Sequence, residues 1–327
     1  MNTPADARTY DFHGLGLHVS ADPLVAEAVH ARFAQLARIR QTPADLIFQL
    51  VCVPDTEQRR FAQPEETARP IYESTMGEVL YADDTDMLYI TCPDAGRAMC
   101  APASGHTHVS ILQSQAGRRQ WLISHPMLTL PLIETLKRHG LYSVHAAGLA
   151  SNGKGLILAG TTGAGKSTLT LALLRGGFDF LGDDMLFLKR NEDGLRMLAF
   201  PDEIDITDET AAFFPELGNL REMPKSQGWP KHQVPATRHF DVKTVWACRP
   251  AAIVFPRVAG TAQSVLTPID SDEALMELAP NVLLTTTTES QAHLDALAEL
   301  VETCQCYRLE TGLDLTNLPT ILGSLLR

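Results

Sequence analysis

A glycine-rich run near the middle of the chain has the residue types of a phosphate-binding loop. Residues 160–167 fit the pattern G-x-x-x-x-G-K-[ST], in which glycines let backbone N–H groups turn toward phosphate oxygens. In this pattern Lys166 reaches the β- and γ-phosphates, and Ser167 offers its hydroxyl to Mg²⁺. We therefore predict that the chain binds ATP, or another nucleoside triphosphate, together with Mg²⁺. The predicted nucleotide-binding residues are Gly160, Thr161, Thr162, Gly163, Ala164, Gly165, Lys166, Ser167 and Thr168.

The segments on either side of this run have the order that such a loop requires. The apolar residues 155–159 before it are typical of a buried strand, and Leu169, Ala172 and Leu173 after it mark one face of a helix. The alternative is a chance match on an ordinary strand–turn–helix unit, for which average composition gives about a one-in-a-hundred chance in a chain of this length. The flanking strand and helix favour the nucleotide site.

Two adjacent carboxylates, Asp183 and Asp184, follow a second apolar segment at residues 178–182. In proteins with this kind of loop, an Asp at the end of a neighbouring strand helps to hold Mg²⁺ through water. Adjacent residues of a regular strand face opposite ways, so one carboxylate could serve the metal while the other contacts a second group. That second carboxylate could take the proton of an acceptor hydroxyl. The alternative is a simple Asp-Asp turn between strands.

Three further residues are weaker candidates for the same site. His145 lies in a predicted strand before the loop, where a histidine taken alone is more often half-buried and structural than catalytic. Residues 221–241 carry prolines, lysines and histidines, which is typical either of a mobile loop that closes over a phosphate or of a solvated connector. Within this segment Arg238 is the candidate residue that stabilises the charge of the transferred phosphate. Outside it, Glu203 is an additional candidate metal ligand.

Together, His145, residues 160–167 and the pair Asp183 and Asp184 resemble the catalytic domain of the HPr serine kinase/phosphorylase family. That family has a histidine in the strand pair before its loop, a glycine at the end of the following helix, and a strand that closes with Asp-Asp. The resemblance covers roughly residues 140–190 and implies that His145 lies in the active site. It also implies that Asp184 is the base that activates the acceptor hydroxyl and that Asp183 helps with the metal.

The resemblance implies an α/β fold with a P-loop kinase domain of the HPr kinase/phosphoenolpyruvate carboxykinase-like type. Several short predicted strands before residue 120 indicate a small α+β domain that precedes it. We place these domains at residues 121–327 and 1–120. The chain is most similar to the divergent branch of the family, which includes kinases of small hydroxyl compounds and of ribosomally made peptides. The implied function is therefore Mg-ATP-dependent transfer of the γ-phosphate to a hydroxyl acceptor on a peptide, protein or small molecule. The resemblance also implies a homo-oligomer.

Two other functions fit part of the pattern. A nucleotide-gated regulatory or binding protein with weak or no ATPase activity would need the loop but no acceptor site beside Asp184. An enzyme similar to phosphoenolpyruvate carboxykinase would share the loop, but the chain is short for that family and has no convincing set of Lys and His metal ligands.

Composition excludes some classes of partner. The formal net charge of −12 disfavours a broad nucleic-acid surface, which needs clustered Lys and Arg. No stretch reaches the roughly 18 to 20 apolar residues that a membrane-spanning helix needs. The first residues lack the charged-then-apolar layout of a secretory signal, so we expect a cytoplasmic protein without membrane or nucleic-acid partners.

Hydrophobic periodicity also predicts the scaffold around the site. It predicts one strand over residues 10–19, a helix that begins at Asp22, a helix over residues 126–138, and an amphipathic helix over residues 291–303.

Overall fold

The computed structural model shows a mixed α/β protein with two large mixed sheets, so the predicted α/β class is confirmed. It describes residues 6–39, 44–56, 64–74, 77–93, 95–118, 120–200, 202–219 and 231–327.

The chain forms two compact units. The first comprises Met1–His139 with Leu284–Glu289, and the second contains most of the chain from Gly140 onward. This division differs from the sequence-based boundary at residue 120, because the helix over residues 126–137 packs on the first sheet and the short helix over residues 120–124 packs on that helix. The Sγ atom of Cys100 on that sheet, for example, lies 3.4 Å from the Oγ1 atom of Thr135 on the second of these helices.

An eight-stranded sheet organises the first unit. Its elements are β1 (Asp6–Phe12), β2 (Leu15–Ala21), α1 (Ala26–Ala31), β3 (Leu46–Val53), β4 (Arg69–Ser74), β5 (Gly77–Ala82), β6 (Met87–Cys92), β7 (Gly96–Ala101), β8 (His106–Leu112), α2 (Gln120–Ser124) and α3 (Pro126–Lys137). The strand order is β1-β2-β3-β8-β7-β6-β5-β4, in which β2, β3 and β8 are parallel and the other neighbours are antiparallel. The helix predicted over residues 126–138 is thereby confirmed as α3.

The strand predicted over residues 10–19 is wrong, since this segment forms the hairpin of β1 and β2. His13 and Gly14 turn the chain with φ values of +52° and +93°, and Tyr10 pairs with Leu17 across the hairpin. The apolar alternation continues through the turn because both strands present the same face to the core, so periodicity alone did not reveal it.

The helix predicted from Asp22 is shorter than its apolar stripe. A turn comes first, in which the backbone N–H groups of Val25 and Ala26 donate to the carbonyl of Asp22, and α1 spans only six residues. The predicted stripe is nevertheless buried, because turns at both ends continue its inward face. Its members are Val25, Val29, Phe33 and Leu36.

A nine-stranded sheet with helices on both faces forms the second unit. Its elements are β9 (Leu141–Val144), β10 (Ala146–Ser151), β11 (Lys154–Ala159), α4 (Lys166–Arg175), β12 (Asp179–Gly182), β13 (Leu186–Asn191), β14 (Gly194–Ala199), β15 (Ile204–Ile206), α5 (Asp208–Ala211), β16 (His232–Val234), α6 (Ala236–His239), β17 (Ala247–Val258), β18 (Val265–Pro268), α7 (Ser271–Leu278), α8 (Thr287–Thr303), β19 (Gln305–Thr311) and α9 (Leu318–Gly323). Strands β15 and β16 form a separate two-stranded sheet. The predicted amphipathic helix at residues 291–303 is confirmed as part of α8.

The long strand β17 joins the two halves of this sheet. Its first residues pair with β14, and the remainder pairs in parallel with β11 on one side and β19 on the other. One face of the sheet packs on α4 and α9, and the other packs on α7 and α8. The carboxyl ends of β11, β17 and β19 consequently lie at one edge, which is where loops after parallel strands can bind ligands. Among the described residues, no helix combines the length and the apolar character that crossing a bilayer requires.

Candidate functional site

The glycine-rich run forms the loop between β11 and α4. Strand β11 ends at Ala159, and α4 begins at Lys166. Gly163 and Gly165 have φ values of +83° and +93°, a backbone conformation that side chains other than glycine rarely adopt. The tip of the loop is exposed, so its backbone is open to a ligand at the amino end of α4.

Lys166 is folded back onto this loop. Its Nζ atom donates to the carbonyl oxygen of Gly160 at 2.6 Å and lies 3.4 Å from that of Thr161. Burial lowers the pKa of Lys166, while the negative charges of Asp184 and Asp183 act in the opposite direction. The ammonium group thus contacts the loop and is near enough to both aspartates for their charges to act on it, and it can exchange neutral carbonyl partners for phosphate oxygens.

Ser167 and Asp183 form the buried part of the site. The Oγ atom of Ser167 donates to the Oδ2 atom of Asp183 at 2.7 Å, and Asp183 is only 4% exposed. Burial raises the pKa of Asp183 to about 6, against the effect of the hydrogen bond from Ser167. Among the described residues, neither the buried Oδ1 atom of Asp183 nor the buried Thr170 hydroxyl has a partner at hydrogen-bonding distance, although Thr170 lies near enough to lower the pKa of Asp183 slightly.

This arrangement fits a divalent cation. A buried carboxylate with an unpartnered oxygen is costly in the absence of a partner, and a cation beside it would stabilise the ionised form. The Ser167 hydroxyl uses its proton on Asp183, which leaves its lone pairs available to the same ion. Hydroxyl and carboxylate oxygens are the ligand types that Mg²⁺ prefers.

Asp184 has a very different environment from its neighbour. Its side chain is 65% exposed, and its Oδ1 atom lies 3.3 Å from the Nδ1 atom of His145, whose side chain is 41% exposed. The pair is thus open to solvent, beside the buried oxygens of Ser167 and Asp183. A hydroxyl group that approaches the loop from solvent can reach Asp184 without displacing the core.

An interrupted antiparallel ladder brings these two residues together. Val144 pairs with Leu186 where β9 meets β13, and Gly148 pairs with Gly182 where β10 meets β12, so these two pairs share one register across a gap. The register shifts by one residue just beyond it, between Gly148 and Leu149. His145 lies in this gap on one chain segment, and Asp183 and Asp184 lie in it on the other. The backbone N–H of His145 donates to the carbonyl of Asn281 at 2.9 Å instead of to the ladder.

Strand β12 therefore ends before the acidic pair, which lies in a bend rather than on a regular strand. Gly182 permits this bend, because a Cβ atom at that position would lie 2.8 Å from the carbonyl oxygen of Met185 and 2.9 Å from that of Phe200. The opposite environments of Asp183 and Asp184 come from this bend and not from strand alternation.

Other predicted residues lie around this centre. Thr168 faces α5, where its Oγ1 atom lies 3.1 Å from that of Thr210. Burial raises the pKa of Glu203, the charge of Asp202 adds to this effect, and the charge of Arg238 opposes it. The structure thus brings Arg238 near Glu203. Among the described residues no three His, Cys, Asp or Glu side chains come together as a metal cluster, so Glu203 does not join the acidic pair in one.

Two residues near the site were not identified from the sequence. Lys231 lies close enough to Lys166 for its charge to lower the pKa of Lys166 further. The only signal for it was the basic composition of residues 221–241, of which residues 221–230, including Lys225, lie outside the described residues. Asn281 contributes a backbone carbonyl to His145, and such a contact leaves no trace in residue type.

Comparisons with known proteins add little to this geometry. No protein-family model matches the sequence, and curated protein sequences give no match. Among solved structures, the chain is similar to the Hpr(Ser) kinase/phosphatase from Coxiella burnetii, with 15% sequence identity and a TM-score of 0.32 over 57% of this chain and 93% of that chain. A similarity of this size establishes neither the function nor the roles of individual residues.

Proposed function

We propose that this protein is a Mg-ATP-dependent phosphotransferase that passes the γ-phosphate to a hydroxyl acceptor. One observation carries the proposal: the two adjacent aspartates near Lys166 differ in burial and in the groups that they contact. Asp183 is buried against Ser167 with one oxygen that has no hydrogen-bond partner among the described residues, and Asp184 is exposed beside His145. Phosphoryl transfer needs a buried anion that positions the metal and an accessible one that receives the acceptor's proton.

The loop supplies the nucleotide site in this proposal. Backbone N–H groups at the amino end of α4 and the glycine turns would surround the phosphate oxygens. Lys166 would move its ammonium from the carbonyl oxygens of Gly160 and Thr161 to the terminal phosphates. Lys231, whose charge already acts on Lys166, would add a second positive group beside them.

Ser167 and Asp183 would hold the Mg²⁺ ion. When bound, the ion would neutralise charge on the phosphate oxygens and thereby favour transfer. Asp183 must be ionised for this role, although burial holds its pKa near 6 in the ligand-free protein. Nucleotide binding with Mg²⁺ should therefore release a fraction of a proton near that pH.

Asp184 and His145 would handle the acceptor. The hydroxyl oxygen forms its new bond to phosphorus as the bond to the β-phosphate oxygen breaks, and the hydroxyl proton passes to Asp184. His145, 3.3 Å away through Nδ1, would orient that carboxylate and stabilise its charge. Because both side chains are open to solvent, the acceptor can be a serine-type hydroxyl on a peptide, a protein or a small molecule.

The test uses γ-labelled ATP and Mg²⁺ with the full chain. Acceptors are free serine, a pool of small hydroxyl compounds, and peptides that contain serine. Label should appear on one of these acceptors, and Asp184→Asn should reduce its transfer by about a hundredfold to ten-thousandfold while ATP binding is retained. Asp193→Asn, at an exposed turn between β13 and β14, is the matched control.

Other outcomes would change the assignment. Bound ATP without label on any acceptor would favour a nucleotide-gated regulatory protein. Loss of ATP binding in Asp184→Asn would make Asp184 a metal residue instead of the base. Equal transfer by Asp184→Asn and Asp193→Asn would remove Asp184 from the reaction.

A further inference from the structure

The first unit contains a pocket that has no part in the proposed phosphotransfer. Its volume is about 490 Å³, within the range of sites for small molecules. Residues 37–39 return along β1 after α1, as shown by the hydrogen bonds from Asp11 N–H to the Ala37 carbonyl and from Ile39 N–H to the Thr9 carbonyl. The pocket lies between this returning segment, β1 and α1, and all residues that line it belong to the first unit.

Two of the four charged residues that line the pocket neutralise each other. Arg8 donates to both carboxylate oxygens of Asp6, at 3.1 Å from Nε and 2.5 Å from Nη2. This hydrogen bonding lowers the pKa of Asp6, so the pair stays ionised and self-satisfied. The Arg8–Asp6 pair therefore offers a ligand no unpaired charge.

The other two charges, Arg38 and Glu27, remain available. Both are exposed residues that line the pocket, and neither side chain forms a hydrogen bond or an ion pair with any residue that the structure describes. The guanidinium of Arg38 lies close enough to Asp6 and His30 to act on their charges, which places it at the pocket. One positive and one negative group, neither of them paired with a described residue, thus line the same pocket.

The remaining residues that line the pocket are a histidine and four apolar residues. The buried side chain of His30 has its Nδ1 atom 2.9 Å from the Tyr10 hydroxyl and its Nε2 atom 3.3 Å from the Asp6 carbonyl oxygen. Burial lowers the pKa of His30, so its ring adds no positive charge near neutral pH. The apolar wall consists of Pro23, Ala26, Ala31 and Ala34.

We propose that this pocket binds a free α-amino acid. The carboxylate would pair with Arg38, the ammonium group would pair with Glu27, and the apolar wall would contact the side chain. A simple anion would leave Glu27 unmatched, and a simple cation would leave Arg38 unmatched. A zwitterion satisfies both charges, and the small alanines leave room for a side chain between them.

Calorimetric titration of the full chain with each of the twenty standard L-amino acids, up to about 10 mM, tests this proposal. At least one should bind, and its analogues without the ammonium group or with an esterified carboxylate should bind at least about tenfold more weakly. Arg38→Gln and Glu27→Gln should each cause a similar loss. Arg118→Gln and Glu192→Gln, which alter exposed charges elsewhere, should bind normally.

Three results would overturn the proposal. One is the absence of heat with all twenty amino acids. A second is equal binding of the analogue without an ammonium group, which would make the pocket an anion site. The third is normal binding by Glu27→Gln. Circular dichroism of each variant establishes that the fold is retained, as expected for exposed side chains.

Discussion

Each unit of the molecule contains a buried lysine close to a buried carboxylate, but the two clusters are built differently. In the first unit the Nζ atom of Lys137 lies 2.5 Å from the Oε1 atom of Glu134, and both side chains are fully buried. The other carboxylate oxygen of Glu134 accepts a hydrogen bond from the Thr285 hydroxyl at 2.7 Å. Both oxygens are therefore satisfied within the fold.

The cluster in the second unit is left incomplete. Lys166 donates to loop carbonyls rather than to Asp183, and one oxygen of Asp183 has no hydrogen-bond partner in the part of the chain that the structure describes. Burial lowers the pKa of both lysines, so burial alone does not distinguish the two clusters. The difference lies in completeness: a satisfied buried pair belongs to the scaffold, whereas an unsatisfied one indicates a place for a ligand.

The largest expected effect is on catalysis and concerns Lys166. Lys166→Ala removes the positive group that contacts the terminal phosphates, so we expect phosphate transfer from labelled ATP to fall about a thousandfold. The midpoint of urea unfolding should change little, because Lys166, unlike Lys137, does not neutralise a buried carboxylate in an ion pair. Lys189→Ala on β13 is the control. Unchanged transfer would remove Lys166 from the site.

The opposite behaviour is expected of Lys137. Lys137→Met leaves Glu134 buried without its partner, which should lower the free energy of unfolding by about 3 to 4 kcal/mol. Transfer per folded molecule should be unchanged. The double variant Glu134→Leu with Lys137→Met should recover most of the loss, because it removes both charges. Urea unfolding measures all three proteins, and equal stability of the single and double variants would contradict the comparison.

The smallest effect is a pH dependence caused by Asp183. Its pKa is about 6 in the folded protein against an ordinary value of 3.8, so the folded state retains a proton that the unfolded chain releases. The stability of the ligand-free protein relative to Asp183→Asn should thus be greatest below about pH 4 and should fall by at most about 3 kcal/mol as the pH rises through 6.

Urea unfolding of both ligand-free proteins between about pH 3.5 and 7 measures this difference. The free energy of unfolding of Asp193→Asn should change with pH in the same way as that of the unaltered protein over this range. If the free energy of unfolding of Asp183→Asn also changes with pH in this way, ionisation of the buried Asp183 carboxyl does not destabilise the ligand-free protein as we expect.

The parts of the molecule that sequence predicted well are those that depend on neighbouring residues. The strand and helix around residues 160–167 lie within one contiguous segment, and both are present as β11 and α4. Helix α3 was likewise predicted because its apolar periodicity and the following Gly140 are local signals. The roles of Lys166, Ser167 and the acidic pair remain predictions.

The parts that sequence missed depend on pairing between distant segments. The antiparallel ladder is interrupted at His145, whose backbone N–H donates to the carbonyl of Asn281 instead. Asn281 is far away in the sequence, and no residue pattern marks such a contact. The predicted single strand in the first unit failed because alternation has the same period on both sides of a two-residue turn. Lys231 belongs to a basic segment in which no spacing distinguished it from its neighbours.

The interrupted ladder has a mechanical consequence. His145 and the acidic pair lie on two antiparallel segments that cross the same gap, and the two residue pairs that flank the gap share one register. If one half of the sheet slid relative to the other, both segments would be carried along together, and the distance between His145 and Asp184 would change little. Lys166 and Ser167 follow β11, which pairs with β10 along its whole length, and Ser167 donates to Asp183, so the loop would move with the same segments. The fold thus moves His145, the acidic pair and the loop as one piece, so their mutual distances survive a displacement of the strands around them.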